Sequence, residues 1–295
     1  MRKWFGKKKV GLALGGGAAR GLAHIGVLQA LEASDIKIDL ITGTSMGAII
    51  GAMYATNPDL KLLHEKMIAY LESDIFKNTR LDFVVDHKND LEGAGLFYRF
   101  SQLARKKIFH TITITRISLV SEENRDKSLG FLLSDINIEE TKLPFATVAL
   151  DLISGNEFII KKGSLLEAMA ATTALPGILP PVECQGMKLI DGGWINAVPV
   201  GPAKALGADI VIAVDVGSDF SKIDQLDSGL DVVLRADAAT RNALAKLQIK
   251  QADLAICPSV GINHWADFGR AEEIIVKGRE ATLEKMPEIK KILKI

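Results

Sequence analysis

The first 56 residues switch repeatedly between short apolar runs and helical stretches, and that rhythm narrows the possible folds more than any other feature of the chain. Val10–Leu14, "VGLAL", reads as a buried strand and Gly21–Ala33 as a helix. Ile38–Thr42 reads as a second strand, and Met46–Ala55 as a second helix ending near Pro58. Strands and helices joined by such short connections imply parallel strands with right-handed crossovers. The rhythm returns from Pro144, with "FATVALDLI" as a strand, "LLEAMAATTAL" as a helix and "MKLID" as a short strand. "VGPAKALGA" then opens a helix and "DIVIAVDVG" is a fully buried strand. From Leu230 the chain is mostly helical, with "QADLAICPSV" as one more strand. The expected class is α/β on a mostly parallel sheet.

Between Asp59 and Lys142 the texture changes. "LKLLHEKMIAYLESDIF" and "LFYRFSQLARKKIF" repeat apolar residues three and four apart, the mark of amphipathic helices. This block reads as a helical cover over the sheet, either a substrate lid or helices that bury one edge of the core. The expected organisation is a single domain over 1–295. Its core runs over 10–56 and 144–260, the helical cover over about 57–143, and a C-terminal helical tail over about 266–295.

A formal net charge of +0 gives no global attraction to nucleic acid or to an anionic membrane, so a nucleic-acid partner is not expected. The two cysteines, Cys184 and Cys257, lie far apart, which argues against a disulfide framework or a zinc site and suits a reducing compartment. No stretch approaches 18 apolar residues in a row, and the apolar run at Val10–Leu14 is too short for a signal peptide. Arg2, Lys3, Lys7, Lys8 and Lys9 surround Trp4 and Phe5 as a solvated terminus, or as a contact for lipid headgroups. The expected location is the cytoplasm, with peripheral contact at the inner membrane surface, to which the basic stretch Arg99–Phe109 would also contribute.

Three blocks carry chemistry. In "LITGTSMGAIIG", Ser45 stands between Gly43 and Gly47, after a strand and before a helix. Small residues on both sides let the chain turn sharply, so the hydroxyl projects at a helix N-terminus where developing negative charge is favoured. A GxSxG match alone arises by chance in roughly one such chain in ten, and the strand-turn-helix context is what gives this one weight. The second block, "LALGGGAARGLAHIG", also follows a strand and opens a helix, so its successive amides form an anion cradle. The dinucleotide fingerprint is not met, because Arg20 stands where a third glycine is required, and the P-loop's Gly-Lys-Ser/Thr is absent. An oxyanion is the better occupant, with the amides of Gly16 and Gly17 as donors and Gly15 permitting the turn. The alternative is a loop that packs helix closely on sheet.

The third block, "MKLIDGGWINAVPV", ends a strand in Asp191. On a parallel strand, Asp191 would emerge at the same sheet edge as Ser45 and accept the serine's proton during attack. A carboxylate of pKa about 3.9 is a feeble base toward a hydroxyl, so it needs desolvation and an oxyanion hole. Alone, Asp191 reads equally well as a turn former. Among the five histidines, His24 suits helix packing, and His64, His87 and His110 fall in the cover. Only His264 is placed late enough for a triad in the order Ser, Asp, His. A serine–aspartate dyad is the simpler account.

The loop "GGGAARG", the elbow "GTSMG" and the late "DGG", in this order, resemble the patatin-like phospholipase family, above all its small stand-alone bacterial members. The likeness extends over 10–56 and 144–217. It implies a three-layer α/β/α sandwich and a metal-free, cofactor-free serine acyl hydrolase acting on phospholipid or lysophospholipid esters through an acyl-enzyme. By the same resemblance Ser45 is the nucleophile and Asp191 the base. The amides of Gly15, Gly16 and Gly17 line the oxyanion hole, and Arg20 supports that loop. The loop is one residue longer than the common family spelling GGGxRG. Thr172 and Thr173 stand where serine is often seen, with no expected effect on the chemistry. Two other functions remain: acyl transfer or thioester cleavage by the same serine, and lipid sensing with little turnover. Oligomeric state is not legible.

Overall fold

Two strands set the frame. β1 (Val10–Leu14) and β7 (Ile210–Val214) are buried along their whole length and pair in parallel, from Val10 opposite Ile210 to Leu14 opposite Val214. Strands covered on both faces need unbroken apolar sequence, which these have. The computed structural model describes residues 8–79, 117–217, 226, 228–261 and 266–295. β2 (Leu40–Gly43) flanks β1, β3 (Phe145–Asp151) flanks β2, and β8 (Leu254–Ile256) flanks β7, all in parallel. Antiparallel strands complete the eight-stranded sheet: β4 (Glu157–Ile160) and β6 (Met187–Asp191) pair with β3, and β5 (Val182–Cys184) pairs with β6.

Side chains alternate across the sheet and so feed two cores. Leu12, Leu14, Ile212 and Val214 enter the larger one, while Ala13, Val211 and Ala213 enter the smaller. The larger core is covered by α1 (Ala23–Ala33), α2 (Met46–Thr56), α3 (Leu60–Glu72) and the short α4 (Asp74–Lys77), with α5 (Glu122–Leu132) and α6 (Leu165–Thr172) beside them. α7 (Val200–Ala205) and the end of α8 (Gly229–Ile249) cover the smaller. The result is the expected three-layer α/β/α sandwich. The C-terminal α9 (Ala271–Leu293) is a member of the larger layer, with Ile274, Ile275 and Ile289 buried. It crosses α1 at a glycine on each side: a Cβ on Gly26 would lie 1.8 Å from the Ile275 carbonyl oxygen, and one on Gly278 1.9 Å from that of Ala23.

β3 deserves its own account because it places the site. Ala149 pairs with Phe158 of β4 and with Asp191 of β6, while Thr147 pairs with Ile160 of β4 and with Gly43 of β2. A strand has two edges, so β4 holds one and β2 and β6 share the other. They run toward each other and stop two residues apart, at Thr147 and Ala149. The expectation that Asp191 emerges from a parallel strand is therefore corrected. β6 is antiparallel, and Asp191 reaches Ser45 because two strands end head to head on one edge.

Among the described residues no helix is long and apolar enough to cross a membrane. The helix expected over "LFYRFSQLARKKIF", the terminal Arg2, Lys3 and Lys7, and His87, His110 and His264 lie outside the described residues.

Candidate active site

Ser45 occupies the turn between β2 and α2 with φ 53° and ψ −125°, a backbone conformation that costs a residue with a side chain on the order of 1–3 kcal/mol. The glycines around it are there for space. A Cβ on Gly47 would sit 2.4 Å from the Leu14 carbonyl oxygen, and one on Gly43 2.5 Å from the Ala48 Cα. Threonine hydroxyls strap the turn. Thr42 donates to the Pro199 carbonyl at 2.9 Å, Thr44 to that of Asn196 at 2.8 Å, and Thr147 to that of Gly43 at 2.8 Å. Thr172, the last residue of α6, accepts the Ser45 N–H at 3.1 Å and donates to the Val148 carbonyl at 2.6 Å.

Asp191 ends β6 with its side chain buried, and the Ser45 side chain lies close enough to its carboxyl group to lower its pKa. One carboxylate oxygen also accepts the Gly193 N–H at 2.7 Å. Burial pushes the Asp191 pKa up from its ordinary 3.8 to about 6, against the Ser45 side chain, the hydrogen bond from Gly193 and the positive charge of Arg241, which lower it. The carboxylate is thus a stronger base than a solvated one, yet remains mostly ionised at neutral pH.

The glycine loop faces the serine directly: a Cβ on Gly16 would lie 3.4 Å from the Ser45 Cβ. Two of its amides are already engaged. The Gly15 N–H donates to Val214 at 2.9 Å, continuing the β1–β7 ladder, and the Gly16 N–H donates to Ala197 at 2.9 Å. The expectation that these two amides line an oxyanion hole is corrected accordingly. After Gly17 the 3-10 turn Ala18–Leu22 starts, and its first N–H groups have no helical acceptor. Ala18 adopts φ 47°, so the backbone is strained on both sides of the site, here and at Ser45. Arg20, in that turn, donates its Nε–H to the Val216 carbonyl at 3.1 Å, just past the end of β7.

His24 does more than pack. Its Nε2–H donates to the Gly15 carbonyl at 2.7 Å, its Nδ1 has no partner among the described residues, and complete burial drops its pKa to about 4. The ring is therefore neutral and holds the glycine loop from behind. His64 pairs with Glu272 at 2.8 Å, away from Ser45. Sequence reasoning gave no role to Thr172, Arg241 or Gln248. Arg241 lies 4.4 Å over the ring of Trp194, in the loop that follows Asp191. Gln248 donates to the Ile195 carbonyl at 2.8 Å and accepts the Ala197 N–H at 3.0 Å. The one available signal was their spacing of two helical turns, which puts both on one face of α8.

Ser45 also lines a cavity of about 120 Å³. Its walls are almost entirely apolar, from Met46 and Ile49 on α2 to Leu129 and Leu132 on α5, with Ile178 and Phe268. α5 ends beside the start of α6, where Leu165 N–H donates to Ile136, whereas Ser45 touches the last residue of α6. A serine hydroxyl near a buried carboxyl group on the wall of an apolar cavity has the chemistry to receive an ester attached to a hydrocarbon chain.

The model of the family described as "Patatin-like phospholipase" matches residues 12–204. Human patatin-like phospholipase domain-containing protein 6 is 34% identical over 211 residues, 71% of this chain and 13% of the relative. A lysophospholipase of Candida glabrata is 29% identical over 298 residues, 92% of this chain and 16% of the relative. The chain thus spans less than a fifth of the length of these curated relatives. Among solved structures, VipD from Legionella pneumophila shares the fold with a TM-score of 0.50 at 15% identity, over 96% of this chain and 67% of that one. With a family model covering most of the sandwich, elbow and aspartate loop included, the chain belongs to the patatin-like phospholipase family.

Proposed function

We propose that this chain is a serine acyl hydrolase that cleaves fatty-acyl esters of phospholipids or lysophospholipids with a Ser45–Asp191 dyad. One observation carries the reading: the Ser45 side chain lies beside a buried carboxyl group of raised pKa and on the wall of an apolar cavity. The acyl chain lies along α5, which brings the ester carbonyl to Ser45. Ser45 Oγ attacks the carbonyl carbon as Asp191 takes its proton, and N–H groups from Gly17 onward hold the oxyanion. The tetrahedral species collapses, the C–O bond to the lipid alcohol breaks, and Asp191 returns its proton to that oxygen. Water then attacks the acyl-enzyme, giving its proton to Asp191, and Ser45 leaves with that proton as the fatty acid departs. The chain needs no metal or cofactor in this scheme. It acts from the cytoplasm and meets its substrate at the inner membrane surface.

The printed names of the relatives, phospholipase and lysophospholipase, agree with this substrate class. The test is labelling with a fluorophosphonate probe beside hydrolysis of a panel of lipid esters. Wild type is expected to be labelled at Ser45 and to release fatty acid, and Ser45→Ala to do neither. Full esterase activity in Ser45→Ala would end the proposal.

A further inference from the structure

The shared edge of β3 has a seam. β2 pairs up to Thr147 and β6 from Ala149, so the residue between them, Val148, sits at the seam where the two ladders meet. Its carbonyl points there: a Cβ on Gly192, the residue after Asp191, would lie 2.4 Å from the Val148 oxygen. A buried carbonyl without a donor costs on the order of 1–3 kcal/mol. In this seam the Thr172 hydroxyl donates to it at 2.6 Å, from a side chain with no solvent exposure. The same oxygen has one proton to give and lone pairs to spare, and it accepts the Ser45 N–H at 3.1 Å.

We infer that Thr172 is a positioning residue for the reaction, its hydroxyl tying the strained Ser45 backbone to the seam of β3 from which Asp191 also emerges. The inference rests on the Ser45–Asp191 reading above and adds a third residue to it. Ser45 is held in a conformation its backbone does not favour, so something must oppose its relaxation. The flanking glycines supply room and Thr44 fixes the residue before, but the Ser45 amide itself is held by Thr172. Asp191 is registered on the same strand through Ala149, one residue from the carbonyl that Thr172 grips. Thr172 thus spans nucleophile and base through a chain of two hydrogen bonds, and a shift in it changes the distance between them. Thr173, next along, has no such part: its hydroxyl turns back to the Met169 carbonyl within the helix, at 2.7 Å.

Thr172→Val keeps the shape and removes both bonds, Thr172→Ser keeps the hydroxyl, and Thr172→Cys fits the space with a weak donor and acceptor. Steady-state hydrolysis of a soluble ester and of a lysophospholipid is measured across pH for each, with Ser45→Ala alongside. Misplacing a reacting group by about 1 Å costs up to about a hundredfold in rate, so Thr172→Val is expected to lose about tenfold to a hundredfold in kcat. KM should stay within about twofold, because the acyl cavity does not include Thr172. The Ser45 side chain lowers the Asp191 pKa, so moving it away raises that pKa and moves the acid limb of kcat/KM upward in pH. A purely structural role would not move that limb. Thr172→Ser restores both quantities, and Thr172→Cys falls between, which keeps the test decisive if the valine variant does not fold. A valine or cysteine variant with wild-type kcat and an unmoved acid limb overturns the inference, while a dead Ser45→Ala in the same series leaves the dyad standing.

Discussion

Asp191→Asn should stabilise the fold at neutral pH while abolishing turnover, and the size of the effect follows from burial. The pKa of Asp191 is raised from 3.8 to about 6. At 1.36 kcal/mol for each pKa unit, keeping the ionised carboxylate buried costs roughly 3 kcal/mol. The sign is fixed by proton counting. Between pH 4 and 6 the folded chain holds a proton here that the unfolded chain has already lost, so unfolding becomes easier as pH rises through this window. Above about pH 6 the full cost is present, and below about pH 4 it vanishes. Asparagine has the same shape, keeps an oxygen for the Gly193 N–H and never ionises. His24 complicates the wild-type profile, because a buried neutral imidazole with its pKa at about 4 contributes stability above its unfolded value of 6.5 that is lost as pH falls. The two groups act in opposite directions over almost the same window, so the wild-type curve alone can be flat. The difference between variant and wild type cancels the histidine. Urea denaturation of both proteins from pH 4 to 8 should show a gap that widens by about 1–3 kcal/mol between pH 4 and 7 in favour of the variant. A gap that does not change with pH would refute the reasoning, because the carboxylate would then not be desolvated in the folded chain.

Two further predictions come from the same geometry. Ser45→Gly relieves the positive φ at the elbow and should raise stability by about 1 kcal/mol while removing all turnover; calorimetry and the ester assay read the two quantities on one preparation. Leu132→Trp adds bulk to a wall of the cavity, so hydrolysis of long-chain esters should fall about tenfold while short-chain esters are cleaved at close to the wild-type rate. Equal losses on both chain lengths would place the acyl group elsewhere.

How much of this could be read from the sequence divides along a physical line. β1, β7, the elbow and the glycine loop announce themselves because each depends on neighbours in sequence: an unbroken apolar run, or glycines two residues either side of a serine. Asp191 was found for a reason that proved incomplete, since nothing in "MKLID" tells a parallel from an antiparallel strand. The engaged amides of Gly15 and Gly16 were invisible for a related reason. Their acceptors, Val214 and Ala197, are about 200 residues and 180 residues away, and whether a loop amide is available depends on what folds back over it. The stretch 266–295 reads from sequence simply as a helical tail. Only the pairing of Gly26 with Gly278 across a crossing shows how closely it is packed.

The site sits where two ladders meet, and one residue type supplies side-chain hydrogen bonds there. Thr42, Thr44, Thr147 and Thr172 are all without solvent exposure, and each donates to a backbone carbonyl at or beside the seam. Threonine is suited to this place for two reasons that rarely coincide. Its branched Cβ packs as valine does in a strand or helix end, and its hydroxyl donates to a backbone carbonyl. Three of the four bonds also join segments far apart in sequence, Thr42 and Thr44 to the chain after Asp191 and Thr147 to the end of β2. The seam is also where Ser45 and Asp191 meet, because two strands ending head to head leave room for side chains that a continuous ladder would fill with backbone.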